Sequence, residues 1–390
     1  MTTSFGIDLA PTAAPPVLGS ARRVGLVCNQ ASVDASFRHA PDVLHDVLGS
    51  RLAALFGPQH GLWSTQQDNM VETAHGVHPR LGVPVHSLYS ETRKPTQRML
   101  QGLDLLVVDL QDVGTRVYTY VWTMLHCMEA CAEAGIPLLV LDRPNPLGGA
   151  VAEGAVLDPA YRSFVGLAPL PMRHGLTMAE LARHLNRTMD VGVDLHVLPM
   201  TGWDRRMLWS HTGRAWVPPS PNLPRFEGAL VYPGQVLVEG TQLSEGRGTT
   251  TPFEQFGAPW IDPWRLLDAL PATVTSGCTL RPVAFEPTFQ KHVRTQCAGL
   301  FVHVTDPDTL RSLRLTLGIF RALRQLWPAQ FAWLQPPYEY EAEKMPIDIL
   351  TGSSAAREWV DGLGAWDELE GLAATPAHWW QTVAPSLLYA

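Results

Sequence analysis

The sequence predicts an α/β protein with two units: a doubly wound N-terminal domain built on a mainly parallel sheet, and a smaller α/β C-terminal domain. Three observations carry this. In the first half, short aliphatic runs alternate with helical patterns, the signature of successive βαβ units. The chain has 390 residues, enough for two domains of roughly 150 residues or more. Apolar residues reach 46% and charged residues only 17%, a balance that excludes a disordered chain or a charged coiled coil.

The runs expected as strands are Val24–Cys28, Leu52–Phe56, Val83–Leu88, Leu105–Leu110 and Leu138–Leu141. These are short β-branched or aliphatic runs, as expected of parallel strands covered by helices on both faces. Between them, Pro41–Leu48, Pro95–Leu100 and Tyr118–Ala134 read as helices, two of them opened by a proline in the first turn. The 32 glycines and 33 prolines are scattered between these runs, which predicts many structured loops. After residue 200 the prolyl stretch 216–224 interrupts regular structure, so the boundary is placed near 225: domain 1–225, then domain 226–390.

Charge and cysteine content narrow the function. With 29 basic and 37 acidic residues the net charge is −8, and no basic cluster dense enough to follow a phosphate backbone occurs, so no nucleic acid is expected as a partner. No window supplies the ~18 apolar residues of a membrane span. An early Asp8 and Pro11, Pro15 and Pro16 occupy the place of a secretory core, which predicts a cytoplasmic protein. Cys28, Cys127, Cys131, Cys278 and Cys297 have no C-x-x-C spacing, so neither a disulfide framework nor a zinc site is expected. His75 and His78 flank a glycine and read as ordinary loop histidines. No metal is predicted.

In an open parallel sheet the ligand crevice lies beyond the carboxyl ends of the strands. Five successive strand ends carry polar turn segments here: Asn29-Gln30, Gly57-Pro58-Gln59-His60-Gly61, Ser87-Leu88-Tyr89, Gln111 to Arg116, and Asp142-Arg143-Pro144-Asn145-Pro146. Absent from them are a G-x-G-x-x-G turn, a phosphate-cradling G-x-x-x-x-G-K-[ST] loop and a G-x-S-x-G elbow, so no nucleotide cofactor and no serine triad are expected. The later stretch 239–254 mixes Glu239, Glu245 and Glu254 with Arg247, glycines and threonines, and suits a loop folding over a ligand. Eleven of the thirteen tryptophans lie beyond residue 200; most should be core, with one or two near 203–216 or 260–264 offering a face to a sugar.

The segments Phe56-Gly-Pro-Gln-His-Gly61, Ser87-Leu-Tyr89, Asp109-Leu-Gln-Asp-Val-Gly114 with Arg116 and Tyr118-Thr-Tyr120, and Leu141-Asp-Arg-Pro-Asn-Pro146 resemble the NamZ family of exo-β-N-acetylmuramidases. So do Pro219-Ser-Pro-Asn222, Glu239-Gly-Thr241, Ser244-Glu-Gly-Arg-Gly-Thr249, Pro336-Pro-Tyr-Glu-Tyr340 and Ile347-Asp-Ile-Leu-Thr-Gly352, so that the likeness covers nearly the whole chain. The resemblance implies a Rossmann-like N-terminal domain, no nucleotide, and a cleft that removes N-acetylmuramic acid (MurNAc) from non-reducing ends of peptidoglycan fragments of the MurNAc-GlcNAc type. It also implies a departure: many family members carry glutamate where this chain has Gln59, and an amide cannot exchange a proton near neutral pH.

Glycoside cleavage usually needs a carboxylic acid and a second carboxylate, roughly 5 Å or roughly 6.5–9.5 Å apart according to stereochemistry. The expected acid is Glu245 or Glu72, the latter replacing the carboxylate missing at 59. Asp112 is the expected ionised partner, with Glu239 in reserve. Gln59 and His60 would hold the sugar, its acetamido group or the attacking water, and Arg116, Arg143 or Arg247 the lactyl carboxylate, because a guanidinium forks onto it. Asn69, Gln111, Tyr118, Asn145, Asn222 and Thr241 complete the expected binding set. Two other readings stay open: a catalytically silent muramyl-sugar-binding protein, motivated by Gln59, and a metal-assisted hydrolase using Asp109, Asp112 and His60.

Overall fold

The computed structural model describes residues 3–68 and 71–390. Its main sheet has seven strands: β1 (Val24–Cys28), β2 (Leu52–Gly57), β3 (Gly76–Val77), β4 (Pro84–Ser87), β5 (Leu105–Asp109), β6 (Leu138–Leu141) and β7 (Leu195–Leu198), in the order β3-β4-β2-β1-β5-β6-β7. All neighbours are parallel except the two-residue β3, which runs antiparallel to β4. Among the parallel strands this is the doubly wound order third, second, first, fourth, fifth, sixth, in which direction of growth reverses across β1. The expected strands all form. The helix expected from Tyr118 begins instead at Tyr120, because 118 and 119 belong to the loop that enters the site.

Strand β7 and its preceding helix, Met178–Thr188, were not expected. The helix carried a legible start, since Thr177 and Glu180 form a reciprocal capping box. The strand is only Leu-His-Val-Leu at a half-buried sheet edge, too short for a period-two pattern to register.

Alternation along the strands fills two cores. Leu26, Leu105, Val107, Leu139 and Leu141 point to one face, which the N-terminal segment around Phe5 and Ile7 covers together with the helix Ala40–Leu48. Val27, Val108 and Val140 point to the other face, where they meet Trp122, Leu125 and Met128 of the helix Tyr120–Ala134. This second core continues without a break into the C-terminal unit, through Val236, Leu237, Phe256, Phe320 and Phe331.

The C-terminal unit has its own three-stranded antiparallel sheet, β8 (Gln255–Ala258), β9 (Cys278–Phe285) and β10 (Cys297–Val304), in the order β8-β10-β9. Helix Phe226–Gln235 packs against it and against helix Ser312–Leu326. They touch backbone to backbone: a Cβ placed on Gly234 would sit 1.8 Å from the Ser312 carbonyl oxygen, so only glycine fits at that crossing. The end of the chain then returns to the first sheet. Trp379 Nε1 donates to His174 O (3.2 Å), Leu388 N–H to Glu180 Oε1 (3.0 Å) and the Tyr389 hydroxyl to Asp142 Oδ2 (2.6 Å). The last dozen residues of the expected 226–390 domain therefore pack with the N-terminal unit.

Candidate active site

A polar pocket opens above the carboxyl ends of the parallel strands, between the two units. Gln59 and His60 reach it from the turn after β2, and Val117 to Tyr120 from the loop that follows β5 and starts the Tyr120–Ala134 helix. The prolyl segment crosses the end of β1 and hands Ser220 and Asn222 to the wall. It is clamped there by its Pro219 carbonyl, which accepts from Asn29 Nδ2 (2.7 Å) and from the Tyr120 hydroxyl (2.7 Å). The far wall is C-terminal: Tyr232, Glu239, Arg247, Phe253, Tyr338 and Glu339.

Two carboxyl groups, Glu239 and Glu339, line this pocket, 7% and 4% exposed. Glu239 is held through both oxygens, by Arg247 Nη2 on Oε1 (2.6 Å) and the Tyr338 hydroxyl on Oε2 (2.7 Å). Both glutamates act on the same phenols: burial raises the Tyr232 and Tyr338 hydroxyl pKa values, and the negative charge of Glu239 and of Glu339 raises them further. Glu339 sits on the turn Tyr338–Glu341, closed by backbone hydrogen bonds of 2.9 Å in each direction.

Gln59 is anchored at both ends of its amide. Its Oε1 accepts from Thr119 Oγ1 (2.6 Å) and its Nε2 donates to the Tyr89 hydroxyl (3.3 Å). Both partners are hydroxyls, which can donate or accept, so the same slot would also hold a carboxylate. Thr119 stands at the N-cap of its helix yet spends its hydroxyl on Gln59 instead of capping. His60, at φ 70°, has its Nδ1 2.6 Å from the Gln66 carbonyl. A carbonyl only accepts, so Nδ1 carries the proton. Burial is the main cause that lowers the His60 pKa to about 4; Arg247 adds to it and the Gln66 bond opposes it. The ring is thus neutral at physiological pH, with Nε2 as acceptor.

This has a measurable consequence for stability. The folded pKa is depressed from 6.5 to about 4, so the unfolded chain binds the His60 proton first as pH falls. The contribution is fully present above pH 6.5 and lost between 6.5 and 4, amounting to about 3 kcal/mol. Urea unfolding across that range is expected to show a shallower pH slope in His60→Asn than in the wild type; equal slopes would contradict the assignment.

Of the expected site residues, Glu239, Gln59, His60, Tyr118, Asn222 and Arg247 meet in the pocket. Asn222 also ties the loop after β2 to the wall, donating from Nδ2 to Gln67 O (2.6 Å). Asn69 lies outside the described residues.

The structure places the other expected residues outside this pocket's lining. Glu72 is 59% exposed on its side chain and lies 3.8 Å from Arg93, away from the pocket lining. Glu245 is buried behind the wall between Lys291 (2.9 Å) and Arg247 (3.2 Å). Burial alone would raise its pKa, but the two cations override that and lower it, the opposite of what an acid requires. Asp112 braces its own turn, accepting from Gly114 N–H (2.6 Å) with His174 at 3.2 Å. Gly114 is required there: at φ 76°, a Cβ would lie 2.4 Å from Asn145 Oδ1.

Gln111 spends its Nε2 on the carbonyls of Asp112 and Pro144, Asn145 on Leu176 O and Leu147 N–H, and Thr241 on Val238 O and Leu243 N–H. Arg116 is buried, its pKa lowered to about 10 by that burial, and donates to Leu170 O and Leu350 O, so it stitches the two units together. Arg143 forks onto Asp109 (2.5 and 2.9 Å). Trp264 is exposed but outside the pocket, and the expected tryptophan platform is replaced by tyrosines. Missed from sequence were Glu339, Tyr338 and Tyr232. The signal for the first was a carboxylate between two aromatics in Pro336-Pro-Tyr-Glu-Tyr340, about a hundred residues from Glu239.

A pocket at the strand ends of a doubly wound sheet, with two buried carboxyl groups, a neutral imidazole and a ring of tyrosines, holds the side-chain types that a glycosidase of α/β class uses. The comparisons identify which one. The N-terminal model of exo-beta-N-acetylmuramidase NamZ matches residues 24–227 and the C-terminal model residues 230–389, and the chain belongs to that family. The peptidoglycan beta-N-acetylmuramidase NamZ of Bacillus subtilis (strain 168) is 45% identical over 313 residues, 80% of this chain and 75% of that protein. Two crystal structures of DUF1343 family proteins from Bacteroides fragilis NCTC 9343 align over 100% of this chain and 99% of each of theirs, with TM-scores of 0.85 and 0.75 at 31% and 27% identity.

Proposed function

We propose that this glycoside hydrolase releases MurNAc from the non-reducing ends of peptidoglycan fragments in the pocket above the strand ends, and that Glu239 and Glu339 are its two carboxyl groups. The observation that supports this most is that both line one pocket and are nine-tenths or more buried, with the Tyr338 hydroxyl, next to Glu339 in the chain, donating to Glu239. Glu239 receives a hydrogen bond on each oxygen, which suits a carboxylate that faces the positive charge developing at the anomeric carbon. Glu339 is then the acid. It protonates the leaving oxygen as the C1–O bond breaks, and water completes the hydrolysis.

The remaining wall suits the sugar's substituents. His60 Nε2 is an acceptor for the acetamido N–H or a hydroxyl. Of the three arginines expected for the lactyl carboxylate, Arg116 and Arg143 are spent on carbonyls and on Asp109. Arg247 lines the pocket, and its buried Nη1 has no hydrogen-bond partner among the described residues, so Arg247 is the one assigned. Gln59 positions the sugar through its anchored amide and does no proton transfer.

The test is release of free MurNAc from MurNAc-GlcNAc by the purified protein, beside Gln59→Glu and Glu72→Gln. Wild-type turnover is expected, with Glu72→Gln within about twofold of it, as for a side chain exposed to solvent. A silent wild type with turnover only in Gln59→Glu would overturn the assignment and favour a sugar-binding protein whose missing carboxylate belongs at 59. The metal-assisted reading has less to stand on: Asp109 is engaged by Arg143 and Asp112 by Gly114, and no metal-holding group of three such side chains forms among the described residues.

No helix among the described residues is long and apolar enough to cross a membrane. A cytoplasmic role on imported fragments belongs to this proposal, is in keeping with five free cysteines, and is tested by cell fractionation.

A further inference from the structure

Beside the pocket stands a second cluster that the hydrolytic machinery does not use. The Arg93 guanidinium lies between two aromatic faces, 4.2 Å from the Tyr89 ring centre and 4.7 Å from that of Tyr340, with Phe164 at 5.8 Å. Tyr340 meets Phe164 edge-on at 6.0 Å, yet remains 52% exposed, one of the few large apolar side chains left open to solvent. Arg93 donates to the Ser90 carbonyl and to the Tyr340 hydroxyl, and its Nε is buried without a hydrogen-bond partner among the described residues.

The cluster is tied to the pocket at both ends. Tyr89 receives the amide of Gln59, and Tyr340 directly follows Glu339. The turn that presents them is strained. Its two central residues, Glu339 and Tyr340, have φ of 44° and 68°, a pair of positive values that hairpin turns normally assign to Asn and Gly. Neither residue gains a local advantage from that conformation. What the turn achieves is directional: consecutive side chains go to opposite tasks, Glu339 to the pocket lining and Tyr340 to its open rim. Strain of this kind persists where the surroundings impose it, and it clusters at ligand sites.

The geometry points to Tyr340 and Arg93 as the subsite for the leaving sugar. This rests on the muramidase reading, in which MurNAc fills the pocket and the next hexosamine must extend across the rim beside the acid. An exposed phenol ring offers a flat face to the weakly apolar C–H side of a pyranose, and Arg93 stiffens that ring from beneath. The residues are specificity determinants for the aglycone and take no part in bond breaking.

The test compares two substrates: the disaccharide MurNAc-GlcNAc, and the 2,2,2-trifluoroethyl β-glycoside of MurNAc, whose aglycone is small and non-aromatic. Tyr340→Gly and Arg93→Gln are expected to raise KM for the disaccharide about tenfold, equivalent to one stacking contact, and to leave the trifluoroethyl glycoside unchanged. Tyr340→Phe, which keeps the ring, should retain most of the disaccharide affinity. Because glycine accepts positive φ freely, relief of the turn offsets part of the lost ring contacts, and Tyr340→Gly should melt within a few degrees of the wild type, which separates a lost contact from a damaged fold. Equal losses on both substrates, or an unchanged KM for the disaccharide, would overturn the assignment. A wild type that cleaves neither substrate would overturn the muramidase reading and this subsite with it.

Discussion

Glu339→Gln is expected to lower kcat for MurNAc release from MurNAc-GlcNAc by about 10²–10⁴-fold, the usual contribution of a general acid, with KM little changed. The loss should depend on the leaving group. A 2,4-dinitrophenyl glycoside departs without protonation, so Glu339→Gln should hydrolyse it at close to the wild-type rate. Glu239→Gln should fail on both, since the charge it supplies to the anomeric centre is needed whatever leaves. Rates for the two variants on the two substrates thus form a four-way comparison. If Glu339→Gln lost equally on both substrates, the acid would have to be sought elsewhere, and an undiminished Glu239→Gln would remove that residue from the chemistry. Both variants keep an acceptor oxygen and nearly the same volume, so thermal melting should confirm that the pocket is intact before rates are compared.

The second large effect concerns stability. Asp109 at the end of β5 and Arg143 just after β6 are 0% and 1% exposed on their side chains, joined at 2.5 and 2.9 Å, and Arg143 also donates to the Val33 carbonyl beyond β1 (3.0 Å). The pair therefore ties together three strand ends. Removing one partner strands a buried charge, and Arg143→Met is expected to cost about 3–5 kcal/mol of unfolding free energy by urea titration. Adding Asp109→Leu removes the stranded carboxylate and should recover a large part of that loss. A single variant as stable as the wild type would show that Arg143 is not structural and would reopen it as a ligand for the lactyl carboxylate. The contrast with Arg247 is instructive, because both arginines are buried beside carboxylates, but only Arg247 borders the pocket.

The N-terminal architecture was legible because parallel strands buried on both faces leave a strong local trace: Val24–Cys28 and Leu138–Leu141 are apolar throughout, and their bounds in the structure are those expected. The family motifs were legible for the same reason that they are long. What the sequence could not apportion was the work of each polar residue within them. Gln59 and His60, Asp112 and Asn145 all sit in strand-end turns of similar composition. The first two face the pocket, whereas Asp112 and Asn145 are consumed in holding their own loops. A turn residue's side chain has a backbone donor within reach in either case, so composition does not separate the two outcomes.

The amino-acid pattern alone carried the parallel sheet, the absence of a phosphate-binding glycine loop, and a wider set of polar candidates that includes the pocket residues Gln59, His60, Tyr118, Asn222, Glu239 and Arg247. Which carboxylates share a pocket depends on packing between distant segments. Glu239 and Glu339 are a hundred positions apart and meet because the turn at 338–341 folds against the segment 236–240, while Glu72, thirteen residues from Gln59, faces solvent beside Arg93. Proximity along the chain governs strands and turns, whose hydrogen bonds are local. Which charges share a dry pocket depends on how whole elements pack, and that is set by the continuous core joining the two units.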